Sequence, residues 1–135
     1  MHMSWWDKYN QSTAWWVRAL VLVGVVGVSY TFFTPFCDVM FNCGCQVLWK
    51  AAGSLCNVHN SAGPHCPFCA TGAWGKMIPR GSVWLTQVAV VLAPLQISWK
   101  SRVALGLMAF VGVAMLIGTV FLMATGYPMF LGMGS

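Results

Sequence analysis

Residues 103–127 read VALGLMAFVGVAMLIGTVFLMATGY, a run of 25 residues without one charged side chain. As an α-helix with a rise of about 1.5 Å per residue, this run extends about 37 Å, and the hydrocarbon core of a bilayer is about 30 Å thick. A helix of this length crosses the core and tilts or protrudes. The run therefore predicts a membrane-spanning helix over residues 103–127.

Two earlier segments repeat this pattern. Residues 15–36 are apolar apart from Arg18, and as a helix they extend about 33 Å, which is enough to span. Residues 83–99 are shorter and contain Gln87 and Pro94, so neighbouring helices must satisfy the amide and the carbonyl that the proline frees. We therefore predict three transmembrane helices.

The composition also indicates a membrane protein. Only 7% of the 135 residues are charged and 59% are hydrophobic, whereas a soluble domain carries about a quarter charged residues. The net charge is +5 and the bases are spread along the chain, which argues against nucleic acid and for contact with the anionic headgroups of a lipid bilayer. The predicted fold class is an all-α integral membrane protein with a Cys/His-rich loop between its first and second helices.

The segments outside the spans complete this plan. Ser4-Trp-Trp-Asp7 is typical of a capping box, and the neighbouring tryptophans favour the headgroup region, so residues 1–14 are predicted to form an interfacial helix. The predicted loop covers residues 37–82, and a tail covers residues 128–135.

The bases predict an orientation. One side of the membrane would carry the N-terminus and the short turn after the second span, and the other side would carry the loop. The bases of the first side are Lys8, Arg18, Lys100 and Arg102, and those of the second are Lys50, Lys76 and Arg80. The first set is larger and lies in shorter segments, so the positive-inside rule predicts a cytoplasmic N-terminus and a loop outside.

The loop contains two short motifs with ligand spacing. Cys56 and His59 form a Cys-x-x-His pair, and Cys66 and Cys69 form a Cys-x-x-Cys pair. Three thiolates and one imidazole are a donor set that zinc accepts in tetrahedral structural sites. We predict a Cys3His zinc site, with the neighbouring His65 as a substitute ligand or a solvent-exposed side chain.

The same loop carries the other cysteines of the chain, Cys37, Cys43 and Cys45. In an oxidising space the six cysteines allow up to three disulfides, with fifteen connectivities, and in a reducing space metal is favoured. A mixed outcome places zinc on the Cys3His set and a disulfide between Cys37 and Cys43 or Cys45. Further metal ligands are the other role open to these three residues.

The run from Cys56 to Ser82 resembles the signature of a bacterial family of small membrane proteins of unknown function. That signature has Cys-Pro-x-His, Thr-Gly, Cys-Pro-Gly-Cys-Gly-x-Thr-Arg-Ala and then Arg/His-Gly-Asp at the start of a transmembrane helix. The matching positions here are Cys56, His59, Gly63, Cys66, Pro67, Cys69, Arg80 and Gly81. Asn57 stands where the family has proline. The resemblance implies a bacterial inner-membrane protein with a Cys/His knot, and it implies no activity.

Three functions fit these features. We predict a small accessory subunit of a larger membrane complex, whose loop is stiffened by a zinc site, by disulfides or by both. The first alternative is a membrane thiol-disulfide oxidoreductase that uses Cys66 and Cys69, whose Cys-Pro-Phe-Cys motif is typical of glutaredoxin-like proteins. The second is binding or transport of a soft metal such as copper or mercury. No hydrolase or phosphate-binding motif is present, so an enzyme is the less favoured class.

Glycines on the helices favour the accessory role. Small residues let other membrane helices approach closely. The positions are Gly24, Gly27, Gly106, Ala109, Gly112 and Gly118. We therefore predict that other membrane-protein subunits bind these faces.

Overall fold

The structure is a computed structural model that describes residues 14–95 and 97–134. Its elements are helix α1 (Trp15–Phe41), a 3-10 turn (Asn57–His59), helices α2 (Pro67–Ala70), α3 (Gly72–Leu92) and α4 (Trp99–Thr125), and strands β1 (Met129–Phe130) and β2 (Met133–Gly134). The two strands pair in antiparallel fashion as a two-residue hairpin. The predicted helical class is confirmed. Apart from Ala14, the interfacial helix predicted over residues 1–14 lies outside the described residues.

Two of the described helices, α1 and α4, are long and apolar enough to cross a membrane. Each has 27 residues, which corresponds to about 40 Å of helix. Helix α3 has 21 residues and does not reach the same apolar character. The membrane character of the first and third predicted spans is thus supported, whereas a third crossing is not confirmed.

Helix α3 differs from the predicted span over residues 83–99 at both ends. It begins at Gly72, inside the predicted loop, because Gly75 lets its first turn lie against α2, where an added Cβ would be 2.6 Å from the carbonyl oxygen of Phe68. It ends at Leu92, because Pro94 has no N–H and disfavours helical backbone at Ala93. Hydropathy had located only the apolar part of this helix.

Helix α1 also continues beyond its predicted end at residue 36. It stops at Asn42, whose left-handed backbone (φ 46°) ends the helix while its N–H donates to the carbonyl of Asp38 at 2.7 Å. Cys37 therefore lies on the last turns of α1 and not in the loop. Helix α4 begins at Trp99, with Ser98 as its N-cap, and ends before Gly126, close to the predicted 103–127.

The three long helices meet at Gly106 on α4. A Cβ at this glycine would lie 2.8 Å from Val25 on α1 and 3.3 Å from Val91 on α3. Beside it, the fully buried Gln87 donates from Nε2 to the Ser29 hydroxyl at 2.5 Å and to the Gly106 carbonyl at 3.1 Å. The Nε2 of this amide thus joins α1, α3 and α4, whereas its Oε1 is buried and has no hydrogen-bond partner among the described residues, so the neighbours satisfy only the donor side of Gln87.

Arg102 joins α4 to the end of α3. Its side chain is fully buried, and its guanidinium donates to the carbonyls of Val91 at 2.6 Å and Ala93 at 2.9 Å and also to that of Leu95. These carbonyls have no helical partner because α3 stops before Pro94. Arg102 is therefore a structural cap of α3 and not an exposed headgroup contact.

Candidate metal centre

The six cysteines converge at one end of the helices. Cys37 comes from α1, three others come from the loop, Cys66 is the N-cap of α2, and Cys69 lies on α2. Five of them are at most 4% exposed, and Cys69 is half-buried. The loop residues are Cys43, Cys45 and Cys56. Such burial removes these thiols from solvent and brings them into contact with one another.

The sulfur atoms form three overlapping groups of three. Within each group all sulfurs lie within 4.8 Å of one another. The groups are Cys37, Cys43 and Cys66; Cys43, Cys45 and Cys56; and Cys56, Cys66 and Cys69. A zinc–sulfur bond of about 2.3 Å gives a tetrahedral edge of about 3.8 Å between sulfurs. Each group can therefore hold a metal ion.

The closest sulfur contacts involve Cys37. Its Sγ lies 3.3 Å from Sγ of Cys66 and 3.6 Å from Sγ of Cys43. A disulfide requires about 2.05 Å. All six cysteines lie in the described part of the chain and all are free thiols. The predicted disulfide from Cys37 to Cys43 or Cys45 is not formed in this structure.

The loop is closed by backbone contacts that require a glycine. Asp38 accepts from the Gly44 N–H at 2.6 Å through Oδ1, and the Cys43 carbonyl accepts from the Asn57 N–H at 2.8 Å. Gly44 has φ +80°, and a Cβ there would lie 2.7 Å from the carbonyl oxygen of Leu55. A side chain at this position would separate the two segments that carry Cys43 and Cys56.

Asn57 connects the cysteine cluster to the end of α4. Its Oδ1 accepts from the Cys66 N–H at 2.7 Å, and its Nδ2 donates to the Tyr127 hydroxyl at 2.7 Å. The hydroxyl in turn donates to the carbonyl of Phe41 at 3.1 Å. Sequence reasoning missed this role, although Asn57 was the position that differed from the proline of the resembling family.

Aromatic rings cover the cluster on the side of the helices. Phe41 meets Phe68 edge to face with centroids 5.1 Å apart, and Tyr127 meets Phe41 at 5.7 Å. Phe121 packs on Phe68 in the same way at 5.2 Å. The rings exclude water from one side of the sulfurs, which strengthens electrostatic interactions there.

The two histidines near the motif lie outside the sulfur groups. Nε2 of His59 is 3.2 Å from the carbonyl oxygen of Gly53, and Nε2 of His65 is 2.7 Å from that of Asn60. Both side chains are exposed. The structure thus brings together three of the four predicted Cys3His ligands, whereas His59 lies outside the sulfur groups and lines a cavity that also reaches Cys69. The Cys3His set stays a prediction.

In place of His59, the structure supplies Cys37, Cys43 and Cys45. These residues were predicted from the sequence as disulfide partners or as further ligands. The signal for ligands was their place beside the two motifs and the close Cys43-x-Cys45 spacing. Their convergence on Cys66 depends on contacts across 29 residues of chain, which spacing alone does not report.

The thiols differ in acidity because they donate to one another. Hydrogen bonds from Cys45 and Cys66 hold the pKa of Cys69 at about 3, far below its usual value. Burial raises the pKa of Cys56 to about 11. At neutral pH the cluster therefore contains thiolate and thiol side by side, and the thiolate is the form that binds metal.

A cavity of about 310 Å³ opens beside the sulfurs, between the loop, α1 and α3. It reaches Cys37, Cys45 and Cys69, one cysteine from each sulfur group. Lys76 and Arg80 of α3 line the same cavity. The centre is therefore covered by aromatic rings on one side and accessible on another.

Comparisons of the chain with models of protein families, with curated proteins and with solved structures give no match. The resemblance to the bacterial family of small membrane proteins therefore stays a prediction that rests on residues 56–82. The function of the chain has to be inferred from the chemistry of its sulfur centre.

Proposed function

We propose that this chain is a membrane protein that binds a soft metal ion, zinc or copper(I), through its six-cysteine centre. The observation that carries the proposal is the convergence of six thiols into three overlapping groups, two of them fully buried and the third containing the half-buried Cys69. Thiolates select zinc and copper(I) over harder ions such as magnesium and calcium. A single structural zinc needs four ligands, so six thiols are more than one zinc ion that only stiffens the loop would require.

The distances fit a metal centre and fit hydrogen-bonded thiols equally well. The separations of 3.3 and 3.6 Å around Cys37 are slightly shorter than the tetrahedral edge of about 3.8 Å of zinc thiolates, so the number of convergent thiols, and not their spacing, supports the proposal. Cys43, Cys56 and Cys66 each belong to two groups. A thiolate in such a position is suited to bridge two ions, so the centre has room for more than one.

The setting in a larger membrane complex is also proposed. Gly24, Gly27 and Gly112 have open space where a Cβ would lie, which supports close contact with lipid or with helices of another subunit. Gly106 and Gly118 do not support it, since Val25 and Met40 of the same chain occupy those positions. Gentle solubilisation should recover the chain in a larger assembly, and a chain that is always monomeric would refute this role.

The proposal also includes a third membrane crossing, by α3. It places the chain in a bacterial inner membrane with the Cys-rich loop on the outer side. The burial of Arg102 leaves three bases on each side, so the count no longer favours either orientation, and a loop outside is supported only by the shorter segments that hold the first set. Labelling of single exposed positions, such as Lys50 in the loop, from each side of a sealed vesicle tests the orientation.

The oxidoreductase alternative has less support. In a Cys-x-x-Cys site the first thiol has to be reached by the substrate disulfide. Cys66, the first thiol of the pair, is fully buried, whereas Cys69 is half-buried and lines the cavity. A reversible redox couple of this pair in metal-free protein would favour the alternative.

Metal analysis of the purified, reduced protein tests the metal proposal. We expect at least one zinc or copper ion per chain, and Cys43→Ser, which removes a member of two groups, should abolish tight binding. His59→Ala and His65→Ala are the matched controls, and both should retain the ion. A reduced, folded chain with six free thiols that binds neither ion would refute the proposal. Loss of metal in His59→Ala, with retention in His65→Ala, would instead favour the predicted Cys3His ligand set.

A further inference from the structure

The cavity beside the sulfur centre differs from the rest of the site in its charge. Lys76 and Arg80 are four residues apart on α3, so they lie on one face of the helix, and both line the cavity. Arg80 is held there over the ring of Phe33, with its guanidinium carbon 5.3 Å from the ring centroid. The opening therefore carries two adjacent positive charges.

No acidic side chain of the described residues lines this cavity. Asp38, the acidic residue of the described part, does not reach it and accepts from the Gly44 N–H instead. Like charges four residues apart on a helix repel each other. An anion between Lys76 and Arg80 would relieve that repulsion.

The sulfurs on the cavity wall are placed to exchange metal. Cys37, Cys45 and Cys69 each belong to a different sulfur group, so one opening gives access to all three groups. Cys43, Cys56 and Cys66 lie behind them and do not line the cavity. An ion that arrives through the cavity thus meets one outer thiol of a group before it reaches the shared inner thiols.

We propose that this cavity binds a small thiol compound that carries a carboxylate, and that this compound delivers metal to the centre and removes it. Its carboxylate contacts Lys76 and Arg80, and its sulfur faces Cys69 and Cys45. The volume of about 310 Å³ is at the lower end of the range for small-molecule sites. The inference rests on the proposed metal-binding function and adds the ligand class and the route.

The exchange conserves atoms and charge. The bond between the metal and the carrier sulfur breaks, and a bond between the metal and a cysteine sulfur of the protein forms. When that cysteine is a thiol, its proton passes to the released carrier thiolate; when it is already a thiolate, the carrier leaves as a thiolate and the charge still balances. No electrons are transferred, and thiolate exchange of this kind requires only that both sulfurs reach the ion.

The same two bases would also offset the negative charge of a metal thiolate centre, so the experiment must separate the two roles. Copper(I) is presented to reduced, metal-free full-length protein either as its glutathione complex, which carries carboxylates, or as its dithiothreitol complex, which carries none. Both the initial transfer rate and the amount of copper bound at equilibrium are measured. The variants are Lys76→Gln and Arg80→Gln, and Lys50→Gln is the matched control, since Lys50 does not line the cavity.

We expect each cavity variant to slow transfer from the glutathione complex by about fivefold, because attraction of an anionic ligand is lost. Transfer from the dithiothreitol complex and the final copper content should change by less than about twofold. Lys50→Gln should behave as wild type. Equal slowing with both carriers, or no slowing with either, would overturn the inference. Failure of wild-type protein to bind copper or zinc from any carrier would instead refute the proposed metal function.

Discussion

Asn57→Ala should weaken metal binding without removing a single sulfur. Asn57 accepts from the Cys66 N–H and donates to the Tyr127 hydroxyl, both at 2.7 Å. Alanine removes both bonds, together with the 3.7 Å contact from Sγ of Cys56 to Oδ1 of Asn57, and leaves the N–H of a buried cysteine without its partner. The segment that carries Cys66 is then free to move away from the segment that carries Cys56.

The size of the effect follows from these contacts. Each lost hydrogen bond contributes about 1 kcal/mol, and the unpaired buried N–H of Cys66 adds a cost of similar size, for a total of about 2–3 kcal/mol. At about 1.4 kcal/mol per factor of ten, the dissociation constant for the ion should rise about 30- to 140-fold. Residues that orient metal ligands have effects of about 10- to 100-fold, a range that overlaps this one.

Competition with a coloured chelator of known affinity measures this change in detergent-solubilised protein. Tyr127→Phe removes one of the two bonds of Asn57, so it should weaken binding by about fivefold. The double variant should lose less than the sum of the single losses because the two residues share a bond. Asn60→Ala is the control, since Asn60 is an exposed asparagine of the same loop that caps the Ala62 N–H.

The reasoning fails if Asn57→Ala binds the ion within about twofold of wild type while Cys43→Ser loses it. It also fails if Asn60→Ala weakens binding as much as Asn57→Ala does. Circular dichroism of each variant checks that the helices are intact, so that a general loss of folding is not mistaken for a loss of the centre.

Three further predictions concern packing and proton release. Gly106→Ala should lower the free energy of unfolding by about 1–3 kcal/mol, because its Cβ would lie 2.8 Å from Val25. Gly112 lies in open space, so Gly112→Ala should be neutral or stabilising by up to about 1 kcal/mol. Equal stability of the two variants in thermal unfolding would refute this difference. Arg102→Lys should lower the free energy of unfolding by about 2 kcal/mol, because an ammonium group does not reproduce the planar guanidinium that reaches the carbonyls at the end of α3. Denaturant titration measures this change, and an unchanged denaturation midpoint would contradict the capping role of Arg102. Metal loading should release protons into weakly buffered solution near pH 8, because the Cys56 thiol, whose pKa is about 11, is protonated until metal displaces its proton. Affinity should therefore rise with pH toward that pKa, and affinity independent of pH would exclude Cys56 as a ligand.

Helix bounds were predicted well where the apolar run and the helix ends coincide. The run over residues 103–127 lies almost entirely within α4, because Ser98 and Gly126 end the helix just outside the apolar run. The predicted second span began at residue 83, whereas α3 begins at Gly72. Hydropathy reports preference for lipid, but caps, glycines and prolines determine where a helix begins and ends.

The cysteine motifs predicted part of the centre for a similar reason. Two-residue gaps place Cys66 and Cys69 on adjacent turns of chain, and the structure brings Cys56 to them. Cys37 joins this group only because α1 continues to Phe41 and carries its sulfur toward Cys66. His59 had the right spacing, but the 3-10 turn directs its ring to the carbonyl of Gly53.

The sequence alone determined that this chain is helical and rich in lipid-compatible surface, since length and side-chain transfer energy are local properties. It also determined that sulfur chemistry is confined to one segment, since every cysteine lies between Cys37 and Cys69. Only the tertiary structure decided that all six thiols meet, that Asn57 holds them to Tyr127, and that Lys76 and Arg80 border an opening to the centre. Which distant segments pack together determines the ligand set, the hydrogen bonds that orient it and the route to it. That packing depends on how the side-chain surfaces of all the helices fit one another.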